Sequence, residues 1–260
     1  MGAFSVFRSL MAFLTIVSPT KDESFVRTSA RYMYLFPAFG ALIGFLVGLY
    51  AFFAYNFLSV LLNFLNAGFV FLTQGVASVM TLAFLLVLTG LQHFDGLVDV
   101  GNALGIKKSS VEDRIMIAHA WVVSRPGALM AILVTLGTLL FIFLTKPDAI
   151  IQSLIVAETS AKLSMVTCAW QGSASHKGLG STFIDSMKKK HTLFLISLVI
   201  SLVIGVLLLG LKGVLAVTLG IAIGAVMIIA GKKIFGGVTG DIFGATNEIA
   251  RMVSLFVLVL

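Results

Sequence analysis

The stretch LTGLQHFDGLVDVGNAL, residues 88–104, places His93, Asp95, Asp99 and Asn102 within ten positions, directly after an apolar run. Asp95 and Asp99 are four apart and Asn102 lies three beyond. In one continuing helix the three oxygen-bearing side chains share a face. Two carboxylates at that spacing repel each other unless a cation lies between them. Hard oxygen ligands of this kind suit Mg²⁺ or Mn²⁺ held jointly with a phosphate. Asp95, Asp99 and Asn102 are therefore candidate metal ligands, and the two aspartates are candidate catalytic groups. His93, two positions before Asp95, lies off that face and is a candidate for substrate contact. Gly90, Gly96, Gly101 and Gly105 weaken the helix and are read as room for a bulky substrate.

Two further stretches offer complementary chemistry. In KKIFGGVTGDIFGATNEIARM, Gly236, Gly237 and Gly240 precede Asp241 where a helix begins. Open backbone amides and a helix N-terminus favour an anion. Asp241 is the candidate catalytic and metal-binding residue here, with Gly236, Gly237 and Asn247 as substrate contacts. A run of small residues for helix packing explains much of the same pattern. In WQGSASHKGLGSTFIDSMKKK, Lys177 sits among glycines where it can pair with a phosphate, whereas Lys188, Lys189 and Lys190 read as anchors at a membrane interface. Gly-x-Ser-x-Gly, His-Glu-x-x-His and paired cysteines do not occur, so serine hydrolase and zinc protease chemistry find no support.

The elements that must position these residues are membrane helices. Hydrophobic residues make up 59% of the 260 and charged residues only 11%, against about 25% charged in soluble domains. Mean hydropathy is +1.09. Apolar runs at about 35–58, 74–92, 127–145, 149–170, 192–210, 213–230 and 242–260 are long enough to cross a bilayer. The expected fold is all-α, a polytopic membrane protein of six or seven transmembrane helices, in one integral-membrane domain over 1–260. The segment VFRSLMAFLTIVSP near the N-terminus reads as an interfacial or re-entrant helix. Glu158 with Lys162, and Glu248 with Arg251, lie on single faces of otherwise apolar helices. Each face looks into the bundle, as a structural ion pair or towards a polar cavity.

If the spans alternate, 18–34, 93–126, 171–191 and 231–241 fall on one side. That side collects Lys21, Arg27, Arg31, Lys107, Lys108, Arg114, Arg125, Lys177, Lys188, Lys189, Lys190, Lys232 and Lys233, against Lys146 and Lys212 opposite. The asymmetry assigns the basic side to the cytoplasm of a multi-pass cell-membrane protein. All four histidines and most aspartates share it, which favours a catalyst working at the membrane face over a transporter with midplane ionisable groups. The net charge of +7 is accounted for by anionic lipid, with no nucleic-acid module in view.

Four stretches, in order, resemble the cobalamin (vitamin B12) synthase family, adenosylcobinamide-GDP ribazoletransferase. YLFPAFGALIGFLVG at 34–48 is similar to its FP-x-x-G-x-x-x-G first helix, and LTGLQHFDGLVDVGNAL to its LTG-x-x-H-x-DGL-x-D-x-x-DAL core. KGLG at 177–180 and GGVTGDIFGATNE at 236–248 resemble its later signatures. The resemblance implies transfer of α-ribazole, or its 5′-phosphate, onto adenosylcobinamide-GDP with Mg²⁺, releasing GMP. Corrinoid-nucleotide and ribazole substrates and a lipid bilayer would then be the partners, with a homo-oligomer left open. The chain departs from the family at Asn102, where Asp is usual. It departs again in AHAWVVS, 118–124, where an M-K-D-x-x-x-G segment is expected. His119, Ala120 and Ser124 stand at the Lys, Asp and Gly, so His119, Asp113 or substrate phosphates would have to replace a lost carboxylate, or the chain is an inactive relative. The alternatives are a membrane enzyme of the CDP-alcohol phosphatidyltransferase kind, whose Ala-Arg element is missing after Asp99, and a transporter.

The orientation is testable by single-cysteine labelling in intact cells. Ser110→Cys and Ser181→Cys should react only after permeabilisation, and Asn66→Cys from outside without it. Labelling of either of the first two from outside would reverse the topology.

Overall fold

The structure, a computed structural model, describes residues 2–17, 24–65, 69–106, 110–120 and 122–260. Lys21, Asn66, Lys107 and Lys108, used above for topology, lie outside the described residues. In chain order the helices are α1 (Ala3–Leu14), α2 (Ser24–Arg31), α3 (Phe36–Phe64), α4 (Val70–Leu88), α5 (Gln92–Leu104), α6 (Val111–Ala118), α7 (Arg125–Leu144), α8 (Ile150–Gln171), α9 (Leu179–Met187), α10 (His191–Phe235) and α11 (Gly240–Val259). No strand forms among the described residues, and the only β pairing is an isolated bridge between Ala174 and Val238. The all-α membrane fold expected from composition is the one observed.

Five of these helices have the length and apolarity of a membrane span: α3 with the turn before it, α4, α7, α10 and α11. α10 accounts for two of the expected spans. Gly210 leaves helical geometry (φ 54, ψ −128), and the chain doubles back so that Gly205 and Gly213 meet backbone to backbone. α8 is less apolar than the other five and is wrapped by protein over nearly its whole length.

The wrapping of α8 follows from small residues. In lipid, helices gain little from hiding apolar surface from one another, so close backbone approach and polar contacts hold them together. Gly40, Gly44 and Gly48 of α3 lie against the backbone of Glu158, Leu154 and Ile151, while Gly220 and Gly224 of α10 lie against Ser160 and Ser164. Ser160 donates to the Ala216 carbonyl at 2.8 Å and accepts from Ser254 of α11 at 2.9 Å.

Within this sheath the four charges of α8 and α11 neutralise one another. The Arg251 guanidinium bridges Glu158 and Glu248, and Lys162 lies 3.7 Å from Glu158. Asn247 accepts a hydrogen bond from Lys162 and donates one to Glu248 at 3.1 Å. Of the two readings of these charges, the structural ion cluster is the one that forms.

One expectation fails. The helix of 74–92 does not run on into the His93–Asn102 stretch. α4 stops at Leu88, and Gly90 (φ 66) and Leu91 (φ 60) turn the chain through the left-handed region. The Ile16 amide, just beyond α1, bonds to the Leu88 carbonyl at 2.9 Å and holds this end. The His93–Asn102 stretch is thereby a separate helix, α5.

Removing one member of a buried ion cluster strands the others, at a cost of about 3–5 kcal/mol. Arg251→Leu should therefore lower the unfolding midpoint of the detergent-solubilised protein far more than Lys212→Leu at the exposed hairpin. Equal midpoints would show that the cluster contributes nothing to stability.

Candidate active site

α5 crosses α11 at two glycines. A β-carbon on Gly96 would lie 2.8 Å from the Asp241 carbonyl oxygen, and one on Gly244 would lie 2.9 Å from that of His93. The glycines of this stretch thus admit neighbouring helices: Gly96 receives α11, and Gly101 receives Gly127 of α7. Helix packing accounts for both, and Gly96 also lines the cavity at this crossing. The crossing brings Asp99, one turn beyond Gly96, close to Asp241 in the first turn of α11.

A third group arrives from α6. Ser110 and Asp113 close a capping box at its start, and Arg114 donates to the Lys233 carbonyl at 2.8 Å, tying α6 to the end of α10. His119 caps the other end, and its Nε2 lies 3.2 Å from Asp241 Oδ2. One ligand atom each from Asp99, His119 and Asp241 falls within 4.8 Å of the others. Thr239, the N-cap of α11, also donates to Asp241 at 3.2 Å. Partial burial, with Asp241 and Asp95 nearby, raises the Asp99 carboxyl to about 6 despite the opposing effect of His119.

These residues rim a cavity of about 350 Å³ enclosed by α5, α9, α11 and the start of α3, with Phe13 of α1. Asp95, Asp99, His119, His176 and Ser181 lie towards its solvent side. Met33, Phe36, His93, Met165 and Phe183 form its buried end. Burial, with the charges of Lys162 and Arg251, holds the His93 imidazole well below its ordinary 6.5, so it is neutral at physiological pH.

Asp95, Asp99, Asp241 and His93 are therefore brought to one cavity. The remaining candidates are placed elsewhere. Asn102 accepts from the Ser124 amide at 2.9 Å and donates to the Val122 carbonyl at 3.4 Å, so it fastens the start of α7 and stands apart from the carboxylates. Gly236 (φ 74) ends α10, and Gly237 packs against the backbone of 173–175. Asn247 belongs to the buried ion cluster. Lys177 is exposed and outside the lining, although His176 and Gly178 on either side are part of it. Asp113 is engaged in its capping box, so of the two proposed replacements for a lost carboxylate only His119 reaches the site. Gln92 and Thr239 also line the cavity and drew no attention in the sequence. Thr239 had a signal, a helix-capping residue type just before the first turn; Phe13, on a remote interfacial helix, had none.

The profile of the family described as CobS, cobalamin-5-phosphate synthase, matches residues 6–259. The chain belongs to this family. A protein of Methanocella arvoryzae named adenosylcobinamide-GDP ribazoletransferase is 33% identical over 201 residues, 70% of this chain and 73% of that one. One of the same name from Halorubrum lacusprofundi is 28% identical over 261 residues, with 95% and 94% covered. One from Methanococcoides burtonii is 26% identical over 267 residues, covering 99% and 92%. No solved structure matches the chain significantly. Within the cobalamin-5-phosphate synthase family, then, this chain brings a histidine to its carboxylate pair.

Asn102→Ala removes both hydrogen bonds by which the buried Asn102 side chain holds the exposed turn 122–124 and should cost about 1–3 kcal/mol. Asn102→Asp keeps the acceptor, loses the donor to Val122 and should cost a similar amount. Unfolding midpoints equal to wild type for both would separate Asn102 from the turn.

Proposed function

We propose that this cobalamin-5-phosphate synthase family member is an adenosylcobinamide-GDP ribazoletransferase. A ribose hydroxyl of α-ribazole, or of its 5′-phosphate, attacks the phosphorus that carries the cobinamide. The bond to the bridging oxygen breaks, GMP leaves, and adenosylcobalamin or its 5′-phosphate results. The observation that carries this reading is the convergence of Asp99, His119 and Asp241, from three separate elements, at the mouth of a cavity.

The residues present fit a divalent cation. Two carboxylates from different helices and an imidazole lie within reach of one ion. Asp99, Asp241 and His119 would hold Mg²⁺, which when bound offsets charge on the pyrophosphate. Asp95, one turn before Asp99 and outside the three-residue group, is placed on the rim to accept the proton of the attacking hydroxyl. Thr239 fixes the Asp241 carboxylate, and the Gly96–Gly244 crossing fixes its distance from Asp99.

The cavity opens at the end of the bundle that carries Arg27, Arg31, Arg114, Arg125, Lys188, Lys189, Lys190, Lys232 and Lys233, which supports a cell-membrane protein with this end in the cytoplasm. A transporter would use its midplane charges for cargo, and here those charges are spent on one another. The reaction needs no second compartment.

Purified protein in detergent with adenosylcobinamide-GDP and Mg²⁺ should release GMP only when α-ribazole is added. Asp99→Asn and Asp241→Asn should each lower kcat at least about tenfold, and His119→Ala should raise the Mg²⁺ concentration needed for half-maximal rate. Ribazole-independent release, or wild-type rates in both aspartate variants, would overturn the proposal.

A further inference from the structure

The buried end of the cavity differs in chemistry from its rim. Phe13 of α1, Phe36 of α3 and Phe183 of α9 form a wall, with ring centroids 4.7 Å apart for Phe13–Phe183 and 5.8 Å for the other two pairs. Met33 and Met165 continue it. These rings come from three helices distant in sequence; Phe13 is the part-exposed ring that meets the cavity, and Phe36 and Phe183, fully buried, back it, so that the wall is aromatic and polarisable rather than polar. The cavity as a whole, open to solvent at its rim, measures about 350 Å³, the scale of one small-molecule site.

His93 supplies a buried polar side chain at this end. Its Nδ1 is buried without a hydrogen-bond partner in the protein, one of two such side-chain atoms among the described residues. Buried polar atoms in folded proteins nearly always have partners, so the orphaned nitrogen asks for one from a bound molecule.

We infer that the wall of Phe13, Phe36 and Phe183, with His93 beside it, is the subsite for the benzimidazole base of the acceptor riboside. This rests on the transferase reading above and assigns half of the cavity within it. Dimethylbenzimidazole is planar and apolar along its methylated edge, and its riboside keeps a single unsubstituted ring nitrogen. That ring nitrogen can only accept, and the orphaned Nδ1, in the tautomer that carries its proton, donates to it. Guanine, the other flat base in the reaction, carries donors and acceptors around most of its edge. In this box those groups would be buried without partners, at a cost that excludes it. The base at the floor leaves its ribose towards the rim, where the pyrophosphate is met.

The test has a binding arm and a kinetic arm. In equilibrium dialysis without corrinoid, wild-type protein should retain α-ribazole, and excess GMP should not displace it. Benzimidazole riboside, lacking the two methyl groups, should bind about tenfold more weakly, a comparison that needs no variant to fold. Phe183→Leu and Phe13→Ala should weaken α-ribazole binding and raise its KM severalfold, leaving the KM for adenosylcobinamide-GDP within twofold of wild type. Displacement by GMP, equal binding of the two ribosides, or a KM change confined to adenosylcobinamide-GDP would overturn the assignment. Ribazole binding with the expected selectivity but no GMP release would instead overturn the transferase reading and leave the subsite standing.

Discussion

Two carboxylates, a guanidinium and an ammonium have to be neutralised inside an apolar helix bundle, and that requirement sets where α11 can lie. An unpaired charge at this depth is too costly to keep. Arg251 must meet Glu158, which fixes the rotation and height of α11 against α8. Asp241 sits at the head of the same helix, almost three turns above Arg251. The register imposed by the ion cluster is thus transmitted along a rigid rod to the Asp241 carboxylate. α8, in turn, is held by the glycines of α3 and α10, which let it be sheathed closely enough to keep its charges dry.

The cavity combines two environments that would exclude each other in a single helix face. Its rim collects negative charge from α5 and α11 and a histidine from α6, all near water. Its floor is made by rings from α1, α3 and α9. The segments that supply the floor are mostly short helices outside the main bundle. The spanning helices give fixed distances, and the short helices close the chamber around them.

Much of this was legible in the residues. The apolar runs mark the spans, including the two limbs of α10, because only a helix satisfies its own backbone in lipid. Asp95, Asp99 and Asp241 stand out because carboxylates beside apolar runs are expensive. Other features were hidden for identifiable reasons. The break after α4 depends on Leu91 adopting a left-handed conformation, which its type does not advertise. Asn102 has the right spacing for a ligand, but its partners, Ser124 and Val122, are set by a turn twenty residues away. Asn247 looks like a substrate contact until Lys162 is seen beside it. His119 follows a short capped helix whose direction is decided by Arg114 reaching α10, a contact between residues more than a hundred positions apart.

A search for reactivity would pass over Gly96 and Gly244, which have no functional group at all. Yet the span between the two carboxylates of the site is written there, in the absence of two side chains. A methyl group at either position would act as a wedge, and the wedge would open the jaws that Asp99 and Asp241 form. The histidine beside the two carboxylates is thus matched by an intolerance for bulk at two residues that line the cavity with no side chain of their own.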